Sequence, residues 1–367
     1  MEFLSCNPIV FVIDKEYEIL VNTVENGIVT IEVGGNIYYE ENAGVLYSEK
    51  NHTKIRVPSE VLNREKSYTV IYRRTIEKKA YYSEFEEPRT AEFVFSPLLK
   101  EENINIYHLA DVHYRFGTAE KTGRYFGDDL DLIIMNGDIG EVESLESYLN
   151  VCKFAGRLSE GRIPVIFARG NHDTRGKLAE LFTDFFPANG KNTYYTFEIG
   201  KLWGVVLDCG EDKLDDHPEY SRTNIFEAFR RRETDFLKQI EPPKDKLCFA
   251  ISHICPAQTT HEPNPYCDIE HDVYSAWNTE LARIGIKFMI NGHIHQAYLL
   301  PKNSERSILP HEYPVIVGSA IDYNDSYLWG TALTVNKDTL DVKFTDNNQE
   351  VKEAYVIELK TGNIIKS

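Results

Sequence analysis

The 367-residue sequence contains no run approaching 20 apolar residues, so no membrane-spanning helix is expected. It has no CxxC pair. Cys6, Cys152, Cys209, Cys248, Cys255 and Cys267 are scattered, which argues against a structural cysteine–zinc site. A chain this long has no need of a disulfide framework, so reduced thiols and a cytoplasmic location are expected. Cys152, Cys209 and Cys248 sit in apolar runs and read as core filler. Basic residues are in deficit: 40 Lys and Arg stand against 58 Asp and Glu, a formal net charge of −18. That balance argues against a wide face gripping nucleic-acid backbone, which needs clustered Lys and Arg. It leaves room for a small phosphorylated substrate, because bound cations can dominate a local field. The first twenty residues lack a basic segment and a clean apolar stretch before a small-residue cleavage site, so no signal peptide is expected. There is no internal repeat and no low-complexity tract.

What is present is a length comfortable for two domains and an apolar fraction of 42%, as expected of a globular protein. Residues 1–98 show short alternating or apolar runs, such as Gly27–Val33, Lys54–Val57 and Ser67–Arg73. Turn residues such as Asn26-Gly27 and Gly34-Gly35-Asn36 separate them. This rhythm predicts a small all-β sandwich. Leu62, six positions before Tyr68, resembles the tyrosine corner of fibronectin type III-like sandwiches, where a Tyr hydroxyl ties back to upstream backbone. Tyr38, Tyr39, Tyr81 and Tyr82 are candidate exposed aromatics for a binding module. Ser96–Asn103, with a proline and a charge run, reads as a linker. From residue 99 to 367 apolar runs alternate with helical patterns near Ser144–Ser159, Lys177–Phe185, Ile225–Gln239 and Val273–Ile284. The alternation predicts α/β architecture, returning to strands after Pro314.

Five of the apolar runs end in polar residues of one kind. They lead into Asp111-Val112-His113, Asn136-Gly137-Asp138, Gly170-Asn171-His172-Asp173, Ser252-His253 and Asn291-Gly292-His293-Ile294-His295. Ligands of α/β sheets bind at the carboxyl ends of strands, so these loops should share one edge. Asp111 with His113, and His293 with His295, have the i, i+2 spacing that puts two side chains on one face of an extended segment. A set of oxygen and imidazole donors without thiolate suits Mn²⁺, iron, Zn²⁺ or Co²⁺. Glycines 137, 170 and 292 permit close backbone approach.

The ordered set D-x-H, G-D, G-N-H-D, H and G-H-x-H resembles the calcineurin-like metallophosphoesterases over about Ile104–Thr345. The resemblance implies a β-sandwich flanked by helices, with two adjacent metal ions at its strand ends. One ion would take Asp111, His113 and His295; the other would take Asn171, His253 and His293; Asp138 would bridge them. The N-terminal sandwich is similar to that of the family's purple acid phosphatases. Their Tyr ligand lies three residues after the bridging Asp, where this chain has Glu141, so no tyrosinate–iron site is expected. In the family's protein phosphatases that position holds an acid that orients the catalytic His, followed by a phosphate-binding Arg. Glu141 fits the first role, but Val142 replaces the Arg.

His172 is the implied catalytic residue beside the ligand Asn171. Asp173 reads as a cap for the helix that follows. Arg115 and Arg175, next to motif loops, are candidates for holding phosphate oxygens. His217, His261 and His271 lack paired spacing and read as non-ligands. Tyr266, Tyr274 and Trp277 are candidates either for a pocket wall or for packing. The leading expectation is hydrolysis of phosphomonoesters or phosphodiesters, with a bridging hydroxide activated by two cations. The alternatives are a catalytically silent scaffold of the same fold, or a binding protein that works through its N-terminal sandwich.

Overall fold

The computed structural model describes residues 2–257, 269–322 and 326–367. His261, Tyr266 and Cys267 lie outside the described residues. Two large sheets face each other across one apolar core. The first has ten strands, in the order Ile364–Lys366, Val351–Glu358, Thr339–Thr345, Gly330–Val335, Ile104–Leu109, Leu132–Asn136, Val165–Ala168, Ile9–Ile13, Glu16–Asn22, His52–Pro58. The second has six, in the order Tyr195–Ile199, Leu202–Leu207, Leu247–Ser252, Met289–Asn291, Val315–Val317, Tyr298–Leu300. The central strands Leu132–Asn136, Val165–Ala168 and Leu202–Leu207 are buried along their whole length. Each is covered on one face by the opposite sheet and on the other by helices, which explains their unbroken apolar runs.

The helices form the two outer layers. Leu145–Ser159 packs on the ten-stranded sheet through Tyr148, Val151, Cys152 and Phe154. Ser144 caps it: its hydroxyl accepts from the Ser147 backbone N–H at 3.1 Å. Phe226–Gln239 and His271–Ile284 cover the six-stranded sheet. Gly285, at φ 81°, ends the latter in the left-handed conformation that glycine adopts without strain. Trp277 and Tyr274 are buried in this outer core, and the Trp277 indole donates to Thr234 Oγ1 at 2.9 Å. Both are packing residues. The helix expected near Lys177–Phe185 is only two short turns, Ala179–Leu181 and Phe182–Phe185. Phe116–Gly123 is a helix that the apolar periodicity did not single out.

The N-terminal segment is the all-β sandwich the sequence led us to expect. Its outer sheet contains Arg89–Val94, Ser67–Lys78, Gly27–Val33 and Asn36–Tyr39 in that order, with Ser83–Phe85 paired on Ser67–Lys78. Its inner layer is Ile9–Ile13, Glu16–Asn22 and His52–Pro58, and this layer continues the ten-stranded sheet: Phe11 pairs with Val165 in parallel register. One core cluster therefore includes Val10, Ile31, Tyr72 and Phe93 together with Ile106, Ile134 and Phe249. The tyrosine-corner reading is corrected. The Tyr68 hydroxyl donates not to upstream backbone but to the Gly161 carbonyl at 2.9 Å, beyond the C-terminus of the helix Leu145–Ser159. The segment read as a linker is pinned: Phe95 N–H donates to Lys66 O at 2.8 Å, Ser96 N–H donates to Arg162 O at 3.0 Å, and Leu98 is buried. Tyr39, Tyr81 and Tyr82 are exposed, while Tyr38 packs on the core. Among the described residues no disulfide forms, and Cys152, Cys209 and Cys248 are buried. No helix among the described residues is long and apolar enough to cross a membrane.

Candidate metal centre

The strands Ile104–Leu109, Leu132–Asn136 and Val165–Ala168 lie side by side and parallel in one sheet; Leu247–Ser252 and Met289–Asn291 do so in the other. All five motif loops thus leave from the same end of the sandwich. The two sheets are stitched there by Asn136, whose amide nitrogen lies within 3.1–3.3 Å of His108 Nε2, Ser252 O and Ile290 O. Asn291 donates to the same Ser252 carbonyl at 2.8 Å. His108 lies under the site and was not singled out from sequence; Asn136, also under it, was noted there only as the start of the Asn136-Gly137-Asp138 strand end. Burial pushes the His108 imidazole down to about 3, so it is neutral and structural.

The backbone turns sharply as it leaves the strands. Asp111, His113, Asp138, His293 and His295 have φ of 53°, 42°, 54°, 71° and 54°. Left-handed conformations cost non-glycine residues free energy and cluster where function demands a fixed geometry. The glycines make this packing possible. A Cβ on Gly170 would lie 2.6 Å from Asp138 N, and one on Gly137 would lie 2.5 Å from Gly170 Cα.

Two sets of acceptor atoms result. In the first, Asp111 Oδ1 is 3.4 Å from His295 Nε2, which is 3.3 Å from His113 Nε2. In the second, one atom of the Asn171 amide lies 3.0 Å from His293 Nδ1, 3.2 Å from Asp138 Oδ2 and 3.3 Å from His253 Nε2. Asp138 Oδ2 is also 3.1 Å from His253 Nε2 and 3.9 Å from His113 Nε2, so it stands between the sets. Donor atoms each about 2.1 Å from one ion, at angles near 90–110°, are about 3.0–3.4 Å apart. The spacings within each set match that requirement, while Asp138 Oδ2 is wider from His113, at 3.9 Å. An Asn171 nitrogen turned inward would donate to Asp138 Oδ2 and His293 Nδ1, whereas its oxygen turned inward is what a cation needs.

The electrostatics of the site follow from burial and from two carboxylates at close quarters. Burial opposes charge on His253, but Asp138 and Asp111 outweigh it and raise the imidazole to about 10. Burial pushes His113 and His293 down to about 4, the form with a lone pair to offer. Burial works against the charge on Asp138 too, yet His253 keeps its carboxyl below the usual range.

The remaining candidates fall in different places. The His172 backbone N–H donates to Asp138 Oδ1 at 2.9 Å, and its ring centroid is 4.8 Å from that of His113. Glu141 and Arg175 line a cleft of about 160 Å³ together with His172 and Glu143. Among the described residues no hydrogen bond joins the Glu141 carboxylate to His172; the Glu141 carbonyl accepts from the Tyr114 hydroxyl at 2.7 Å. Arg115 is half-buried where the helix Phe116–Gly123 begins. Arg175 is held in a two-pronged ion pair with the buried Glu211, at 2.6 and 2.7 Å, so its charge is already partnered. His217 accepts from Glu219 N–H at 3.3 Å, and neither it nor His271 joins a ligand group among the described residues. Asp173 is a correction. No side chain caps the short turns Ala179–Leu181 and Phe182–Phe185 that follow it. Instead Asp173 Oδ2 accepts from Gly170 N–H at 2.8 Å and Asp138 N–H at 3.1 Å, tying two motif loops together. The signal for it was its place in G-N-H-D, beside a bridging carboxylate in need of support.

No curated protein sequence matches the chain. In fold it is similar to a purple acid phosphatase from yellow lupin (Lupinus luteus) seeds, with TM-score 0.59 and 11% identity, over 96% of this chain and 74% of that one. It is equally similar to PhoD, with TM-score 0.59 and 10% identity, over 100% of this chain and 92% of that one. The sequence profile described as "Calcineurin-like phosphoesterase" matches residues 104–297, more than half of the chain and the stretch that holds all five motif loops. This chain belongs to the calcineurin-like phosphoesterase family.

Proposed function

We propose that the chain hydrolyses phosphomonoesters or phosphodiesters at a two-metal centre. The observation that carries the reading is the pair of acceptor sets at metal-ligand spacing, with Asp138 between them. Asp111, His113 and His295 would hold one ion; Asn171, His253 and His293 would hold the other. When bound, two such cations supply charge stabilisation on the phosphoryl oxygens and a nucleophile at neutral pH.

The chain's own groups do the rest. Asp138 fixes the backbone of His172 through the 2.9 Å bond, which carries the imidazole to the rim of the site. From there His172 gives a proton to the leaving oxygen, a contribution of about 10²–10⁴-fold for general acid catalysis. The cleft shared by His172, Glu141 and Arg175 receives the leaving group. Arg175, whose guanidinium is engaged by Glu211 at 2.6 and 2.7 Å, is disfavoured as a phosphate ligand. All seven ligand positions carry a donor of the right kind, so a silent scaffold has no observation in its favour.

The test is a panel of monoesters and diesters with protein reconstituted in Mn²⁺, Zn²⁺ or iron, with metals quantified. About two equivalents and turnover are expected, and Asp138→Asn should lower both metal sites together. Full metal load and full activity in Asp138→Asn would overturn the bridging assignment. No metal uptake by the wild type would overturn the reading as a whole.

A further inference from the structure

The loop after strand Leu202–Leu207 brings a carboxylate to the back of one candidate ligand. Asp212 lies in it, and its two oxygens face different ways. Oδ1 accepts from Lys213 Nζ at 2.9 Å and from the Tyr220 hydroxyl at 3.1 Å, and Arg175 Nη2 stands 3.6 Å from it. Oδ2 lies 4.0 Å from His293 Nε2. The other nitrogen of that ring, Nδ1, is 3.0 Å from the Asn171 amide, inside the second acceptor set. The imidazole thus presents Nδ1 to the ion site and Nε2 to Asp212.

We propose that Asp212 is a positioning residue for the second metal site: it receives the Nε2–H of His293, through one water or a small closing movement, and so holds the Nδ1 lone pair toward the ion. The proposal rests on the two-metal reading above. A neutral imidazole has one N–H, and the group that accepts it decides which nitrogen can ligate. A carboxylate behind a ligating histidine also raises the basicity of the coordinating nitrogen. The anchoring of Oδ1 matters here, because a carboxylate already clamped loses little freedom when it orients the ring.

Arg175 gains a role from the same geometry. Besides its fork to Glu211, its Nη2 lies 3.2 Å from the outer atom of the Asn171 amide. It therefore braces the Glu211–Asp212 pair; with the Asn171 oxygen turned to the ion the outer atom is an amide nitrogen, to which Arg175 donates no hydrogen bond.

The experiment titrates metal-free full-length protein with Mn²⁺ alone and follows free Mn²⁺ by electron paramagnetic resonance. The wild type should bind two ions. Asp212→Asn should weaken one site by about 10–100-fold and leave the other unchanged. Asp216→Asn, an exposed carboxylate of the same loop, makes the same charge change and should leave both sites as in wild type. The melting temperature of metal-free Asp212→Asn should stay at the wild-type value.

Equal weakening by Asp212→Asn and Asp216→Asn would show a net-charge effect and overturn the proposal. So would a lowered melting temperature with both sites weakened alike, which would make Asp212 merely structural. Disappearance of one site, beyond about 10³-fold, would make Asp212 a ligand instead of a support. Two normal sites in Asp212→Asn would overturn this proposal and leave the two-metal reading standing. A wild type that binds no Mn²⁺ would remove the reading itself.

Discussion

Asp173 offers the sharpest test of how the site is held. A single oxygen, Oδ2, accepts two backbone N–H groups, from Gly170 at 2.8 Å and from Asp138 at 3.1 Å. All three residues are buried. In Asp173→Ala both amides lose their acceptor. A buried donor left unsatisfied costs about 1–3 kcal/mol, so the pair costs about 2–6 kcal/mol if the loops do not relax. Asp173→Asn keeps an oxygen of the same shape in the same place. It loses only the charge assistance, about 1 kcal/mol per bond, and it removes a carboxylate that repels Asp138. The two effects oppose each other, so Asn should lie within about 1 kcal/mol of wild type. The assay is urea unfolding of the metal-free protein, followed by metal content after reconstitution. Ala should unfold earlier and retain less metal, because the backbones that carry Asp138 and Asn171 are no longer tied. If Ala and Asn are both indistinguishable from wild type, the carboxylate does not clamp the loops. If Asn is as damaging as Ala, the charge matters and the acceptor geometry does not.

Gly137→Ala should destabilise by about 1–3 kcal/mol more than Gly127→Ala. Both positions have positive φ, but only at 137 would the new Cβ strike backbone, 2.5 Å from Gly170 Cα; equal losses in denaturant melts would assign the whole effect to φ. Glu233→Gln should flatten the pH dependence of stability. Burial and the neighbouring Asp208 hold the Glu233 carboxyl well above its ordinary value of 4.5. The folded protein thus keeps a proton that the unfolded chain releases, and stability falls as pH rises from 4.5 through the raised value; an unchanged slope in the mutant would place the titration elsewhere. Native-state proteolysis should not cut between residues 95 and 99, where the backbone is hydrogen-bonded to both layers; a cut there that released a folded N-terminal fragment would contradict the shared core. Iron-loaded protein should lack a tyrosinate charge-transfer band, since Glu141 occupies the tyrosine position and the Tyr114 hydroxyl donates to the Glu141 carbonyl; an intense purple colour would show a tyrosine bound to iron.

The chemistry of the site was legible in the chain because it is local. D-x-H, G-D, G-N-H-D, H and G-H-x-H each end an apolar run, and parallel strands of a covered sheet bring such ends to one edge. The helices Leu145–Ser159, Phe226–Gln239 and His271–Ile284 were legible for the same reason, since an apolar stripe and its caps lie within a few turns of each other. Tertiary structure alone decided where the charges go. Arg175 read as a phosphate ligand, but the loop after Leu202–Leu207 delivers Glu211 to it across 36 residues. Asp173 read as a cap, but the strand order places Asp138, 35 residues away, against it. Tyr68 read as a local corner, but Phe11 pairs with Val165 and brings Gly161 within reach of its hydroxyl. A sequence fixes which donors and acceptors exist and what their immediate neighbours are. Which of them meet depends on sheet order, and that is set by the burial of whole strands against one another, a quantity no short motif contains.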